Sequence, residues 1–428
     1  MIFGFWFGCE PAPDDKETGS STPTVDADEA DTDTDTDTDT DTDADADADA
    51  DADTDTDADT DTAIVTDTGE PSDCAGGGAW VDDLVWFGAL QDALDAASAG
   101  SVVRVCPGTH PGAFVGPVPL TVVSDSGDPL DTVLDAAGAG TVLTVEPGSA
   151  VQGLTLTGGF GAYAVAGGLH LAGSGTLDVI DCVIRDNAGV GFGGVSIEAD
   201  SAATITGSTI ADNLGSGVLC GTSTLDLVDT RIERNVVDGE GQGGGLNAIF
   251  CTVTGGTWAD NSAHLGGGVA LFVSELIGAE VTGNFATNGG GGIYISELSP
   301  VRDTTVSFNE VGAGLPWTAA AGIEVESYDT NPLTNVVIED NLGPALSTSV
   351  FSVIEIADST VRRNQGGFSW WELVQYPFHG SLTSVNTDWG AGADDNGAYD
   401  VRWYDGVDYL GYEAAEDFEC VDACDPAP

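Results

Sequence analysis

The sequence predicts an all-β solenoid, a parallel β-helix, from a repeated register, the periodicity of the strands within it, and a composition suited to tight turns. One pattern recurs eight times and ends on an asparagine each time, at Asn187, Asn213, Asn235, Asn261, Asn284, Asn309, Asn341 and Asn364. Three residues before each stands an apolar side chain: Ile184, Ile210, Ile232, Trp258, Val281, Val306, Ile338 and Val361. Eight before stands another, from Val179, Ile205 and Leu227 to Val253, Leu276, Val301, Leu333 and Ile356. The residue five before is mostly small: Cys182, Ser208, Thr230, Gly256, Ala279, Thr304, Val336 and Ser359. Successive asparagines are 26, 22, 26, 23, 25, 32 and 23 residues apart, too few to bury a unit's own apolar face. Stacking the units buries a continuous core and pairs each strand with its equivalents above and below.

Short Gly-led strands follow the asparagines, as in Gly194-Val195-Ser196-Ile197 and Gly292-Ile293-Tyr294-Ile295. Strand residues alternate faces, so Val195 and Ile197 point inward and Ser196 outward. Sixty glycines supply the turns, and no helix separates the strands of the repeat.

The chain begins with a short apolar stretch, Met1 to Gly8, followed by Cys9. Residues 1–9 read as a lipoprotein-type signal ending at a Cys that becomes acylated, although no basic residue opens the stretch. Residues 10–72 read as an acidic tether, because Asp alternates with Thr or Ala from Asp26 to Thr62. Such a run has little apolar surface to offset its ordering entropy, and its charges repel. A weak calcium sink is the other reading of these carboxylates, without the Gly turn and terminal Glu of a calcium loop. Residues 73–380 are assigned to the β-helix and its N-terminal cap, and 381–428 to a C-terminal cap and tail. A helix is expected over Trp86–Ser98, apolar at Leu90, Ala93, Leu94 and Ala97 and stopped by Gly100. It would cover the unpaired strand edges at the open end. Val102 to Val105, Leu120 to Val123, Thr141 to Val145 and Val151 to Thr157 read as first coils, giving about 10–11 coils at roughly 4.8 Å each. After Asn364 aromatic residues cluster, among them Trp370, Trp371, Trp389 and Tyr399, as an aromatic cap over the last coil.

The segment from Ala89-Leu90-Gln91-Asp92 to Ala97, followed by Val102-Val103-Arg104-Val105-Cys106-Pro107-Gly108-Thr109, resembles the opening of right-handed parallel β-helix proteins related to pectate lyases. The Asn before a Gly-Gly-apolar strand, as in Asn261 with Gly267-Gly268-Val269, is similar to their coil repeat. The resemblance covers roughly residues 75 to 380 and implies that the eight asparagines stack as an internal ladder. With the Asp-Thr tail behind Cys9, the whole resembles bacterial surface lipoproteins, which implies an extracytoplasmic, membrane-anchored or secreted protein. It carries little about activity.

Nine Lys and Arg against 72 Asp and Glu give a formal charge of −63, which argues against nucleic acid and anionic surfaces as partners. No stretch of about 18 apolar residues predicts a membrane-spanning helix. Of eight cysteines, Cys74 with Cys106 and Cys420 with Cys424 are candidate disulfides in an oxidising compartment. Cys182, Cys220 and Cys251 fall in inward columns, as buried small residues or with Cys220 bridged to Cys251. The four histidines are scattered, so no metal site is expected, and no cofactor beyond a weakly bound calcium.

Lyase chemistry on this fold needs a cation or basic group beside the substrate carboxylate, yet the sole lysine, Lys16, lies in the tail and the arginines are dispersed. The family's galacturonan hydrolases carry Asn-Thr-Asp and Asp-Asp motifs. Asn386-Thr387-Asp388 and Asp394-Asp395 match them, but beyond the last predicted coil and without the following Gly-His-Gly and basic motifs. The sequence leans toward a monomeric, non-catalytic β-helix that binds carbohydrate, a glycan or cell-surface polymer, with a polysaccharide lyase or glycoside hydrolase as the alternative. The loops after Asn235 and Asn309 are the longest, at Val236 to Gly245 and Glu310 to Gly322, and leave one edge of the solenoid. They would form a rim beside an outward column of His170, Ser196, Leu219, Asn247, Ala270, Tyr294 and Glu324. Asp238, Glu240, Gln242, Asn247, Tyr294, Trp317 and Glu324 are the candidate ligand-binding residues, offering carboxylates, amides and aromatic rings.

Overall fold

The computed structural model describes residues 74, 77–312, 319–348, 352–371, 381–397, 399, 401–404, 409–412 and 419–420. The stretches read above as signal and tether, 1–72 with Cys9 and Lys16, lie outside the described residues, as do Trp317 and Cys424. The described chain is an all-β, right-handed parallel β-helix of about 10 turns.

One coil shows the plan. Strands Glu275–Ile277, Glu280–Thr282, Phe285–Gly289 and Ile293–Ser296 follow one another around the solenoid. The next coil repeats them as Val301–Arg302, Thr305–Ser307, Glu310–Val311 and Ile323–Glu326, each paired in parallel with its predecessor. Inward residues alternate with outward ones, so Ile205, Val253, Leu276, Val301 and Leu333 stack in the core with no exposure. The whole predicted apolar column from Ile184 to Val361, Trp258 included, is likewise fully buried.

The asparagines form the expected ladder. Oδ1 of Asn261 accepts the backbone N–H of Asn235 at 3.0 Å and its Nδ2–H at 3.0 Å, while Asn235 Nδ2 also donates to the carbonyl of Ile210. The geometry repeats from Asn187 onward and continues one rung past the predicted end, where Asn364 Nδ2 donates to Asn396 Oδ1 at 2.9 Å. Parallel stacking likewise continues past residue 380, since Ser381–Val385 pairs in parallel with Val353–Ala357. Asn386, Thr387, Asp388 and Asp395 thus belong to a further coil, where Asn386 Nδ2 donates to Asp358 Oδ1.

The small column five before each Asn is a second ladder at another corner. Ser208 Oγ accepts the N–H of Cys182 at 3.0 Å, and Ser359 Oγ accepts that of Val336 at 3.1 Å. Ser201, Ser223, Ser274 and Ser299 form a third, with Ser299 Oγ accepting the N–H of Ser274. Each hydroxyl satisfies a buried backbone donor where the chain bends, which explains why these corners take Ser and Thr.

The N-terminal cap differs from expectation. The helix is shorter, Leu90–Ala96, because Val85–Phe87 is a strand pairing antiparallel with Ala79–Val81. Ala79–Val81 in turn lies antiparallel on Val102–Val105 and ends the parallel stack. Leu90, Ala93 and Leu94 are buried as predicted, and the Cys74–Cys106 disulfide ties the segment before the cap to the first coil. At the other end Tyr409–Tyr412 pairs antiparallel with Val401–Tyr404, and Trp389 and Tyr399 are buried. The side chains of Trp370, Trp371 and Cys420 lie outside the described residues, so the Cys420–Cys424 bridge does too. Cys220 is bonded to Cys251 across adjacent coils, the second of the two readings of the inward cysteines, while Cys182 is a buried free thiol.

Candidate functional site

The predicted outward column has the predicted register. His170 pairs with Ser196, Ser196 with Leu219, Leu219 with Asn247, Asn247 with Ala270, Ala270 with Tyr294 and Tyr294 with Glu324. It is covered, however. Strands Ser262–Leu265, Phe285–Gly289 and Glu310–Val311 form their own parallel sheet beside it, and Tyr294 and Glu324 retain 5% and 8% exposure. A Cβ on Gly289 would meet the Glu324 carboxylate, so the strand lies directly against it. Of the candidate residues, Tyr294 and Glu324 are brought together, and Asn247 Nδ2 reaches the carbonyl of Gln242 at 3.4 Å. Asp238 and Glu240 stand exposed in the loop between, without a described side-chain partner.

Burial and the nearby Glu326 carboxylate push Glu324 up to about 8, opposed by backbone N–H donors of Ala320 and Gly290. The Tyr294 hydroxyl donates to Glu326 Oε2 at 2.8 Å, and burial together with the Glu326 charge holds the phenol well above its ordinary titration range. Deeper in the column His170 Nδ1 shares a hydrogen bond of 2.8 Å with Ser196 Oγ, and burial lowers the imidazole.

Open space lies elsewhere. Between the strands at Thr252–Gly255 and Thr257–Ala259 the surface sinks into a groove of about 790 Å³ that spans several coils. Asp229 and Asp303 mark its ends, three coils or roughly 14 Å apart. Between them the turn positions are Gly255, Gly256 and Gly278, so the missing side chains make the depression. Arg231, Thr257, Glu280 and Thr305 line the walls. Arg231 is half exposed and paired with Glu233, with Asp260 4.0 Å away. Under the floor lies Trp258, whose Nε1 has no hydrogen-bond partner among the described residues. A Cβ on Gly256 would collide with Leu227 Cδ1 at 2.6 Å and stand 3.3 Å from the indole Nε1.

The next corner carries an apolar patch that column-counting from the asparagines missed. Phe250 and Phe272 meet edge to face at 5.4 Å between ring centres, and Val273 and Leu298 continue the patch. The signal was available in sequence as Phe250, Val273 and Leu298, each immediately preceding a corner residue, Cys251, Ser274 or Ser299.

The residues before the ladder asparagines form charge pairs at the surface. Arg234 grips Asp212 with two hydrogen bonds of 2.8 and 2.9 Å and holds its carboxyl below the ordinary range. Arg363 does the same to Asp340 one coil below, at 2.9 and 2.8 Å. Arg234 thus takes Asp212, in the coil before it, and Asp260, in the coil after, stands nearest Arg231.

Residues 167–315 match the family described as the right handed beta helix region. A comparison with curated proteins gave no match. Among solved structures, the periplasmic alginate epimerase AlgG is similar over 72% of this chain and 83% of its own, at 12% identity and a TM-score of 0.45. The A-module of the Azotobacter vinelandii mannuronan C-5 epimerase AlgE4 is similar over 70% of this chain and 91% of its own, at 15% identity and a TM-score of 0.30. The family match covers residues 167–315, and the parallel register and asparagine ladder carry the same right-handed parallel β-helix through the described coils on either side.

Proposed function

We propose that the protein is an extracytoplasmic, surface-tethered β-helix that binds carbohydrate without cleaving it. The groove between Asp229 and Asp303 carries this reading: it is open, several coils long, floored by glycine and walled by carboxylates, hydroxyls and one guanidinium. Such a lining matches sugar hydroxyls, which donate to carboxylates and accept from Arg231. A formal charge of −63 favours an uncharged glycan over a polyuronate. The carboxyl raised to about 8, the kind of perturbation a general acid requires, belongs to Glu324, which is covered by the strand at Phe285–Gly289. That supports binding over catalysis. The rim residues Asp238, Glu240, Gln242 and Asn247 remain a secondary contact surface in this proposal, while Trp317, on the loop after Asn309, lies outside the described residues.

Two disulfides, Cys74–Cys106 and Cys220–Cys251, suit an oxidising compartment, in keeping with acylation at Cys9 and a tether at 10–72. No helix among the described residues is long and apolar enough to cross a membrane.

The test is incubation with neutral glycans and polyuronates, with and without calcium, following binding and the release of reducing or unsaturated ends together. Binding without product release, weakened by Asp229→Ala and Glu280→Ala, is expected. Product release would establish the enzymatic alternative, and absence of binding across the panel would end the carbohydrate reading. Acyl labelling of wild type against Cys9→Ser tests the anchor.

A further inference from the structure

We infer that the Phe250 corner is an aromatic subsite on which one uncharged sugar ring stacks, extending the groove into a continuous track along the strands. This rests on the carbohydrate reading above and names where specificity for an uncharged ring would arise.

Phe250 is 53% exposed, although its side chain could bury considerable apolar area. Its backbone is left-handed, with φ of 57°, and Val273 in the next coil has φ of 47°. A bulky or β-branched residue is disfavoured in that region, where Gly, Asn and Asp fit more readily. The corresponding turn of the preceding coil uses Thr222 at φ 51°, and the Asn-ladder corner takes Asp186, Asp212, Asp260 and Asp340 as well as Arg234, Phe308 and Arg363. The left-handed corner thus accepts many side chains and does not itself call for a phenyl ring.

The ring also stands between two concavities, of about 500 and 390 Å³, both lined by Phe250 and Thr252. Asp200, Thr222 and Thr224 serve the first, and Glu275 the second. Phe272 meets Phe250 edge to face, so it buttresses the ring and leaves a face free. A sugar ring has apolar C–H groups on its faces and hydroxyls at its rim. Ring above and hydroxyl or carboxylate at the side is the complementary arrangement.

The corner and the groove belong to the same strands. The outward residues Thr252 and Thr254 lead from Phe250 to Gly255 and Thr257, while Thr224 and Asp226 run parallel in the neighbouring coil. A glycan laid along these strands would have its end on Phe250, hydroxyls along the threonines and its other end in the groove. The nearby cation, Arg302, is engaged with Glu275 at 3.2 Å, so the corner offers an acidic sugar no free positive charge. The occupant is accordingly neutral.

Calorimetric titration with neutral glucose, mannose and galactose hexasaccharides and a uronate hexasaccharide tests this, using wild type, Phe250→Ala, Phe250→Asn and Phe250→Trp. The best neutral hexasaccharide is expected to bind Phe250→Ala and Phe250→Asn at least tenfold more weakly, and Phe250→Trp about as well as wild type. Asn accepts the left-handed backbone, so Phe250→Asn should melt no lower than wild type, which separates lost contact from lost fold. If wild type binds a neutral hexasaccharide and both truncating variants bind it equally well, the subsite is refuted and the groove reading survives. Preference for the uronate overturns the inference, and no binding by wild type removes both proposals.

Discussion

Asn213 Nδ2 donates to Asn235 Oδ1 at 2.8 Å, and the same oxygen accepts the backbone N–H of Asn213 at 3.1 Å. One carbonyl oxygen therefore satisfies two buried donors in the coil before it, while its own amide satisfies the coil after and the carbonyl of Ile210. Each rung depends on the next.

Asn235→Ala would remove the acceptor of the Asn213 backbone N–H and of one Nδ2–H, leaving Nδ2 only the Ile184 carbonyl. Each buried unmade hydrogen bond costs about 1–3 kcal/mol, so a loss of roughly 2–5 kcal/mol is expected. Asp238→Ala, on the exposed loop three residues away, should stay within about 0.5 kcal/mol. Urea midpoints of the two variants decide it. A ladder variant as stable as the loop variant would show that the rungs are ornamental to stability.

Trp258 supplies a contrasting case. Its indole is fully buried beside Gly256, but Nε1 lacks a partner among the described residues. Trp258→Phe removes the unsatisfied donor and part of the ring, opposing effects whose sum should fall within about 1 kcal/mol of wild type. Trp258→Ala removes the same donor together with nearly all of the packing and should cost roughly 3–5 kcal/mol. Thermal unfolding of both variants gives the answer, and equal losses would mean that Nε1 has an acceptor, such as a buried water, worth the full difference.

The coil plan was legible because burial acts on every repeat alike. Ile184 through Val361 could be aligned by counting, and the corner hydroxyls followed from their small size. The candidate site was less legible, because what covers Tyr294 and Glu324 is a strand containing Gly289, and a glycine gives no side-chain pattern to read. Phe250 escaped for a related reason. Counting back from the asparagines fixes two corners, but the loop between Asn and the next strand varies in length, so the third corner drifts out of the count. Asn396 was hidden by the long interval after Asn364, and Val85–Phe87 by an apolar run whose helical and strand periodicities cannot be separated at that length.

The cysteines divide by reactivity. Burial pushes the Cys182 thiol up to about 11, and its Sγ faces the carbonyls of Ile180 and Val151. In the folded protein at pH 8 it should resist iodoacetamide, and it should be alkylated once denaturant is added, as read by peptide mass mapping. Cys220→Ser opens a bridge closing 31 residues and should lower stability by about 2–4 kcal/mol. Alkylation of native Cys182 at the rate of a free thiol would contradict its burial.

Glu324 makes the stability of its coil depend on pH. Its carboxyl titrates at about 8 when folded and near the ordinary value of about 4.3 when unfolded. Between those values the folded state holds a proton that the unfolded state has released, so stability falls as pH rises, by at most about 1.4 kcal/mol per unit. Below about pH 4 the contribution vanishes, and above about pH 8 the penalty is complete. Facing the carboxyl are Glu326, whose negative charge raises its titration, and the Ala320 and Gly290 N–H groups, which oppose the shift. Glu324→Gln keeps the shape and removes the titration. The wild-type minus variant difference in urea-derived stability should therefore decline from pH 5 to pH 8 and level off by pH 9, by a few kcal/mol in total. Parallel curves for the two proteins across that range would mean that the carboxyl is solvated and that the strand through Gly289 does not cover it.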